Sequence, residues 1–324
     1  MSASGGTKAV MAALIANFGI AIAKFVGFAI TGASSMLSEA IHSVADTGNQ
    51  ALLLLGGKRA RREADETHAF GYGRERYFWA FVVAVVLFTL GSLFALYEGI
   101  HKIQHPEPIS SAPVAIGILA FALVLESFSF RTAVIESARA KGELGWFEFL
   151  RKAKVPELPV VLLEDAGALI GLVVALGAVV TSIITGNGVW DGLGSVFIGV
   201  LLGVIAIFLC VEMKSLIIGE SASPERRAII RDAIESGDDV VRLIHERTEH
   251  LGPEAILLGA KVEFAHGLTV EQLAEAIDAL EARVRAAVPE VDLIYVEPDL
   301  YRTAGATEPE SSGQPGSPGL TGRD

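Results

Sequence analysis

Six stretches of this chain are long and apolar enough, or nearly so, to cross a bilayer. That limits the fold more than any motif. A helix needs about 20 mostly apolar residues to span the hydrocarbon core. The stretches 9–30, 36–55, 77–97, 113–130, 160–183 and 193–211 reach or approach that length, the second being the least apolar. In lipid the backbone must satisfy its own hydrogen bonds, so such stretches read as helices. Across the 324 residues 51% are hydrophobic, and the mean hydropathy is +0.48. These values suit a polytopic membrane protein rather than a soluble domain.

The connections alternate in charge. "GGKRARREADETHAFGYGRER" and "RTAVIESARAKGELGWFEFLRKAKVPEL" are rich in Lys and Arg, whereas "TGAS", "HKIQHPEPISSA" and "TGNGVWDG" hold one Lys between them. Positive loops stay inside, so both basic loops and, with six spans, both termini are expected in the cytoplasm. "MSASGGTKAV" lacks the features of a cleavable signal peptide. Tyr77, Trp79, Tyr97 and Trp190 fall near the expected membrane boundaries, where amphipathic rings sit. The single cysteine, Cys210, excludes an intramolecular disulfide and a thiolate zinc site. A net charge of -12 argues against a nucleic-acid partner.

Beyond the last span the pattern becomes soluble. "SPERRAIIRDAIES" has helical periodicity after a Ser-Pro start, "VVRLIHERTEH" and "AILLGAKVEFA" alternate as strands, "TVEQLAEAIDALEARVRAAV" is an amphipathic helix with Thr269 as its cap, and "VDLIYVEP" is a strand. The expected organisation is a six-helix transmembrane domain over 1–216 and a cytoplasmic α+β ferredoxin-like domain of order αββαβ over 217–302. A Gly-, Pro- and Ser-rich tail over 303–324 is expected to be disordered.

Ionisable groups within a span cost free energy and usually face a protein or water-filled interior. On the second span Ser38, His42, Asp46 and Gln50 recur every four residues, which stacks them along one helical stripe. On the fifth span Glu164 and Asp165 are adjacent, about 100° apart around the helix. One imidazole and two or three carboxylates make a four-ligand N/O set that a divalent cation such as zinc accepts. Asp165 is the expected ligand of the adjacent pair. Glu164 is a weaker ligand, a proton carrier or a neighbour that orients a ligand. The bland alternative is that His42 and Asp46 pair with each other or with Lys24 and simply tie the bundle together. Asn17 and Lys24 read as interhelical donors, Glu126 as a path-lining or snorkelling acid, and Glu98, His101 and His105 as a solvated outer loop.

With those residues in hand, the chain resembles the cation diffusion facilitator family of divalent-metal exporters. The resemblance is carried by "SEAIHSVADTGNQ", "HAFGYGRERYFWAF", "WDGLGSVFIGVLLG" and "SLIIGESA". It implies an antiporter exchanging a divalent cation, zinc first, for protons. It also implies a homodimer through the soluble domain, no resident cofactor and no enzymatic activity. A multi-pass location in a bacterial inner membrane is the accompanying expectation. The family's transport ligands, four apart on the second span, fall on His42 and Asp46. Those on the fifth span fall on Val161, which cannot ligate, and Asp165. The resemblance is therefore to a zinc-transporter-like branch with an adjacent Glu164 and Asp165 pair, and Mn²⁺, Fe²⁺ or Co²⁺ are alternative cargoes. A membrane sensor or scaffold that binds metal without moving it is the other alternative. A family loop site falls on Asp65, His68 and Tyr72, which has lost its last ligand. In the soluble domain the corresponding positions hold His245, Ala274, Tyr295 and Glu297, so no binuclear site is expected there, and His250 and His266 are expected at the surface.

Overall fold

The computed structural model describes residues 18–107, 109 and 111–302. The expected tail and the start of the first span lie outside the described residues. Nine helices and three strands follow in chain order among those described. They are α1 (Phe18–Thr31), α2 (Ser34–Ala60), α3 (Glu75–Gln104), α4 (Ala112–Lys141), α5 (Trp146–Lys152), α6 (Glu157–Thr185) and α7 (Val189–Ile218). The chain continues with α8 (Pro224–Glu235), β1 (Val240–Gly252), β2 (Ala255–Phe264), α9 (Val270–Ala287) and β3 (Val291–Pro298).

Among the described residues four helices are long and apolar enough to cross a membrane: α3, α6, α7 and, from Pro113, α4. At about 1.5 Å per residue each exceeds the roughly 30 Å hydrocarbon core. The protein is thus a multi-pass helical membrane protein. α2 falls outside that set because Glu39, His42, Asp46, Lys58 and Arg59 interrupt its apolar residues. Glu39 and His42 are instead covered by protein and Asp46 nearly so, since α2 packs against α3, α6 and α7, while Lys58 and Arg59 are exposed at its end.

Two devices hold the helices together. The first is close approach through small residues, the usual substitute for hydrophobic sorting inside lipid. A Cβ on Gly99 of α3 would lie 2.7 Å from the Val196 nitrogen and 2.8 Å from the Gly192 oxygen of α7. Between the same helices Ser92 donates to the Gly199 carbonyl at 2.8 Å. Nearby, α3 loosens into a π-helical stretch over Leu87–Leu93.

The second device is a borrowed cap. α2 begins at Ser34 without a side-chain cap from its own N-cap residue, Ala33. The buried carboxylate of Asp191, from α7, accepts from the Ser34 N–H at 2.6 Å and the Ser35 N–H at 3.2 Å, and takes a short hydrogen bond from the Ser35 hydroxyl. A helix N-terminus leaves such donors unmet and favours a negative charge. Ser34 also donates to Glu98 at 3.0 Å, and Lys102 donates to the Gly32 carbonyl at 3.1 Å. Glu98 and His101 therefore belong to helix α3 rather than to a solvated loop, because the helix persists to Gln104. Tyr77 is fully buried, so its ring packs inside the helices and not at the headgroups.

By contact the chain divides into two compact units, one running to Ala222 together with Glu249–Leu257, the other holding Ser223–Thr248 and the chain from Leu258. The helix–strand–strand–helix–strand order matches the sequence pattern, and the sheet order is β1-β2-β3. Asp299 N–H donates to the Val262 carbonyl at 3.0 Å, while Lys261 pairs with Glu297 and Asp299. The C-terminal ends of β2 and β3 are thus side by side, the parallel arrangement that a helical crossover allows. Ser223 caps α8, and Thr269 with Gln272 forms a capping box on α9.

Candidate cation site within the helices

The stripe on α2 survives folding as a buried row. Ser38 and His42 are buried, the Asp46 side chain keeps 14% exposure and Gln50 is half-buried, while Asn49 beside the stripe is buried. His42 Nδ1 lies 3.6 Å from Asp46 Oδ1, one helical turn away. That is beyond hydrogen-bond length. Both His42 nitrogens and Asp46 Oδ1 are buried with no hydrogen-bond partner among the described residues. Such atoms normally cost about 1–3 kcal/mol each, and three on adjacent turns suit an incoming electrophile.

α6 supplies the facing groups. Both acids are buried, in helix register with Leu162 and Ala168. Asn49 of α2 donates to Glu164 Oε1 at 2.6 Å, and Ser129 of α4 donates to Asp165 Oδ2 at 2.8 Å. Each donor engages one carboxylate oxygen and fixes the orientation of the acid. Glu126, midway along α4, is buried rather than snorkelling. Lys24 pairs not with His42 or Asp46 but with Glu39 at 3.0 Å and Ser43 at 2.7 Å.

The structure therefore brings His42 and Asp46 together on α2 and ties Glu164 to that helix through Asn49. Among the described residues no three His, Cys, Asp or Glu side chains converge as a finished ligand cage. The two halves are held by different neighbours, and closing them on one ion requires the α2 and α6 side chains to move together.

In the loop after α2, Asp65 Oδ1 accepts the N–H groups of Thr67 and His68 at 3.0 and 2.8 Å, and Oδ2 accepts the Tyr72 hydroxyl at 2.6 Å. His68 Nδ1 stands 3.6 Å from the same carboxylate. The Tyr72 bond first, then the His68 N–H, holds the Asp65 carboxyl below its usual range. Both oxygens of Asp65 are thus engaged by its own turn. In the sheet unit His245, Ala274, Tyr295 and His266 are exposed, and Glu297 pairs with Lys261. His250 differs from expectation. It is buried, with Nδ1 3.3 Å from the Gly252 carbonyl, because the end of β1 is covered.

Long apolar helices with polar residues buried among them define a multi-pass membrane protein with a polar interior rather than a simple membrane anchor. A family model described as the cation efflux transmembrane domain matches residues 10–218, and the chain belongs to that family, the cation diffusion facilitators. It is similar to the proton-coupled zinc antiporter SLC30A9, mitochondrial, of Xenopus laevis, at 37% identity over 268 residues, 82% of this chain and 48% of that protein. The Homo sapiens protein of the same name is 36% identical over 264 residues, 80% and 46% respectively. Metal tolerance protein C4 of Arabidopsis thaliana is 28% identical over 266 residues, 82% and 58%. The chain spans about half the length of these curated relatives.

Asn49, Ser129, Glu39 and Asp191 escaped the sequence reading. A signal was present for two of them. Glu39 lies three residues before His42, and Ser129 three after Glu126, both helical-neighbour spacings.

Proposed function

We propose that this protein is a proton-coupled antiporter for a divalent cation, zinc before others. The observation that carries the reading is the pair His42 and Asp46, buried on α2 with both imidazole nitrogens unpartnered among the described residues. Similarity to relatives named proton-coupled zinc antiporters supports the choice of ion and counter-ion.

In this reading α1 and α2 also cross the membrane, making six spans, with both termini on the side of the basic loops. The ion enters from that side and binds His42, Asp46 and Asp165, with Glu164 moving from Asn49 to the ion or staying as a proton carrier. Metal and proton compete for the imidazole, so loading by one releases the other. The helices then reopen outward, where protons displace the ion. The sheet unit is taken as ferredoxin-like and as the contact of a homodimer. The host membrane is taken as a bacterial inner membrane. The transported ion is cargo; the reading requires no resident cofactor.

A second reading has one observation behind it. Val161, four residues before Asp165, offers no imidazole, and the donors from α6 are carboxylates. An oxygen-rich set leans toward Mn²⁺, Fe²⁺ or Co²⁺.

The test is flux. In proteoliposomes an imposed proton gradient drives Zn²⁺ movement in the wild type, and His42→Ala and Asp46→Ala each abolish it. Wild-type flux in both variants would remove the site, and zinc binding without flux in the wild type would make the protein a sensor.

A further inference from the structure

The proposed site leaves the buried acid Glu39 unused. Glu39 lies three residues before His42 on α2, on the same face of the helix, and is fully buried. Its Oε2 accepts from Lys24 Nζ at 3.0 Å, and Lys24 donates also to Ser43 at 2.7 Å. Its Oε1 is buried with no hydrogen-bond partner among the described residues. That oxygen occupies the space at Gly171 of α6, where an added Cβ would collide with it.

Gly171 is six residues past Asp165, about 9 Å further along the helix. α2 and α6 run in opposite directions across the membrane in the proposed topology, so the two helices give one order from inside to outside. Asp46 with Glu164 and Asp165 come first, then His42, then Glu39 against Gly171. Along α2 and α6, Glu39 is the next acid outward of His42. Packing does not account for it, since apolar residues of similar size are often as stabilising as a buried ion pair.

We infer that Glu39 is a further cation station, one turn outward of His42, and that Lys24 is its tethered counter-charge. This rests on the transport reading above. A cation leaving His42 and Asp46 binds Oε1 and displaces the ammonium from Oε2. Lys24 keeps its bond to Ser43 and stays close as a fixed positive charge. Two like charges in a low-dielectric site repel strongly, so Lys24 weakens the hold of Glu39 on the ion and favours release. Lys24 is a positioning residue, whereas Glu39 contacts the ion.

The test uses the full chain, with Zn²⁺ flux in proteoliposomes and Zn²⁺ binding by calorimetry in detergent. Glu39→Gln lowers flux by about tenfold or more while Kd stays within about threefold, a split that a folding defect would not give. Lys24→Met lowers flux with tighter binding, and Lys24→Arg restores most of the flux. The double variant Lys24→Met/Glu39→Gln keeps shape and neutrality, and it stays slow. Wild-type flux in the double variant makes the pair structural and overturns the inference, as does unchanged flux in Glu39→Gln. Loss of zinc binding together with a lower melting temperature in Glu39→Gln also overturns it. Failure of the wild type to move Zn²⁺ defeats the transport reading itself, which distinguishes the two.

Discussion

Asp191 and Asp65 are both carboxylates that accept backbone N–H groups, yet they do different work. Asp191 is buried and closes the exposed end of another helix, α2, through Ser34 and Ser35. Hydrogen bonds to a buried charge are worth about 1.5–3 kcal/mol. Asp191→Ala is expected to lower stability by roughly 3 kcal/mol, and Asp191→Asn by less, because the amide keeps one acceptor. Thermal unfolding in detergent reads both. Asp65 is exposed and organises only its own turn, with its carboxyl held low by Tyr72 and His68. A depressed carboxylate stabilises order above its unfolded value of about 3.9, and that order is lost as pH falls through the lowered one. Tyr72→Phe removes the largest cause, so loop amide exchange should begin to quicken at a higher pH than in the wild type. The residue types of the candidate cation site were legible, since His42, Asp46, Glu164 and Asp165 stand out in apolar runs. Their donors were not. Asn49 and Ser129 are ordinary helix residues until the fold sets them across from an acid.

α2 is the element on which the molecule turns. It carries the candidate ligands and is too polar to satisfy an apolarity criterion, because its partners are α3, α6 and α7 and not lipid alone. The four strongly apolar helices, by contrast, are recognisable from hydropathy alone. Pairing among them was not readable, as it depends on which glycines meet. At Gly99 the backbone of α7 leaves no room for a methyl group. Gly99→Ala is expected to cost about 2 kcal/mol by overpacking and to separate α3 from α7, measured as a lower melting temperature and reduced cross-linking of introduced cysteines. Gly177→Ala in α6, where a Cβ meets nothing within 4 Å, is the control with no loss. The strand and helix order of the sheet unit was legible in full from period-2 and period-3.6 patterns and from the Ser223 and Thr269 caps. The buried setting of His250 was not, because strand alternation does not reveal which strand end is covered.

In the transport reading cargo choice is a property of the whole molecule, since the proposed ligands come from both α2 and α6. Val161→His restores an imidazole four residues before Asp165. It is expected to move the transport order toward Zn²⁺ over Mn²⁺, Fe²⁺ and Co²⁺. Competition between ions in proteoliposomes measures the order, and an unchanged order means that Val161 does not reach the ion. The same two-helix logic bears on how the chain is made. An ionisable group inside a span costs free energy during insertion, and in the six-span reading α1 and α2 each carry one in the Lys24–Glu39 pair. Entering one at a time, each helix would present its charge to lipid alone. Entering as a hairpin, hinged at the short Gly32–Ala33 connection, they neutralise one another before leaving the translocon, so in that reading the pair beside the proposed ion path also eases insertion of the second helix.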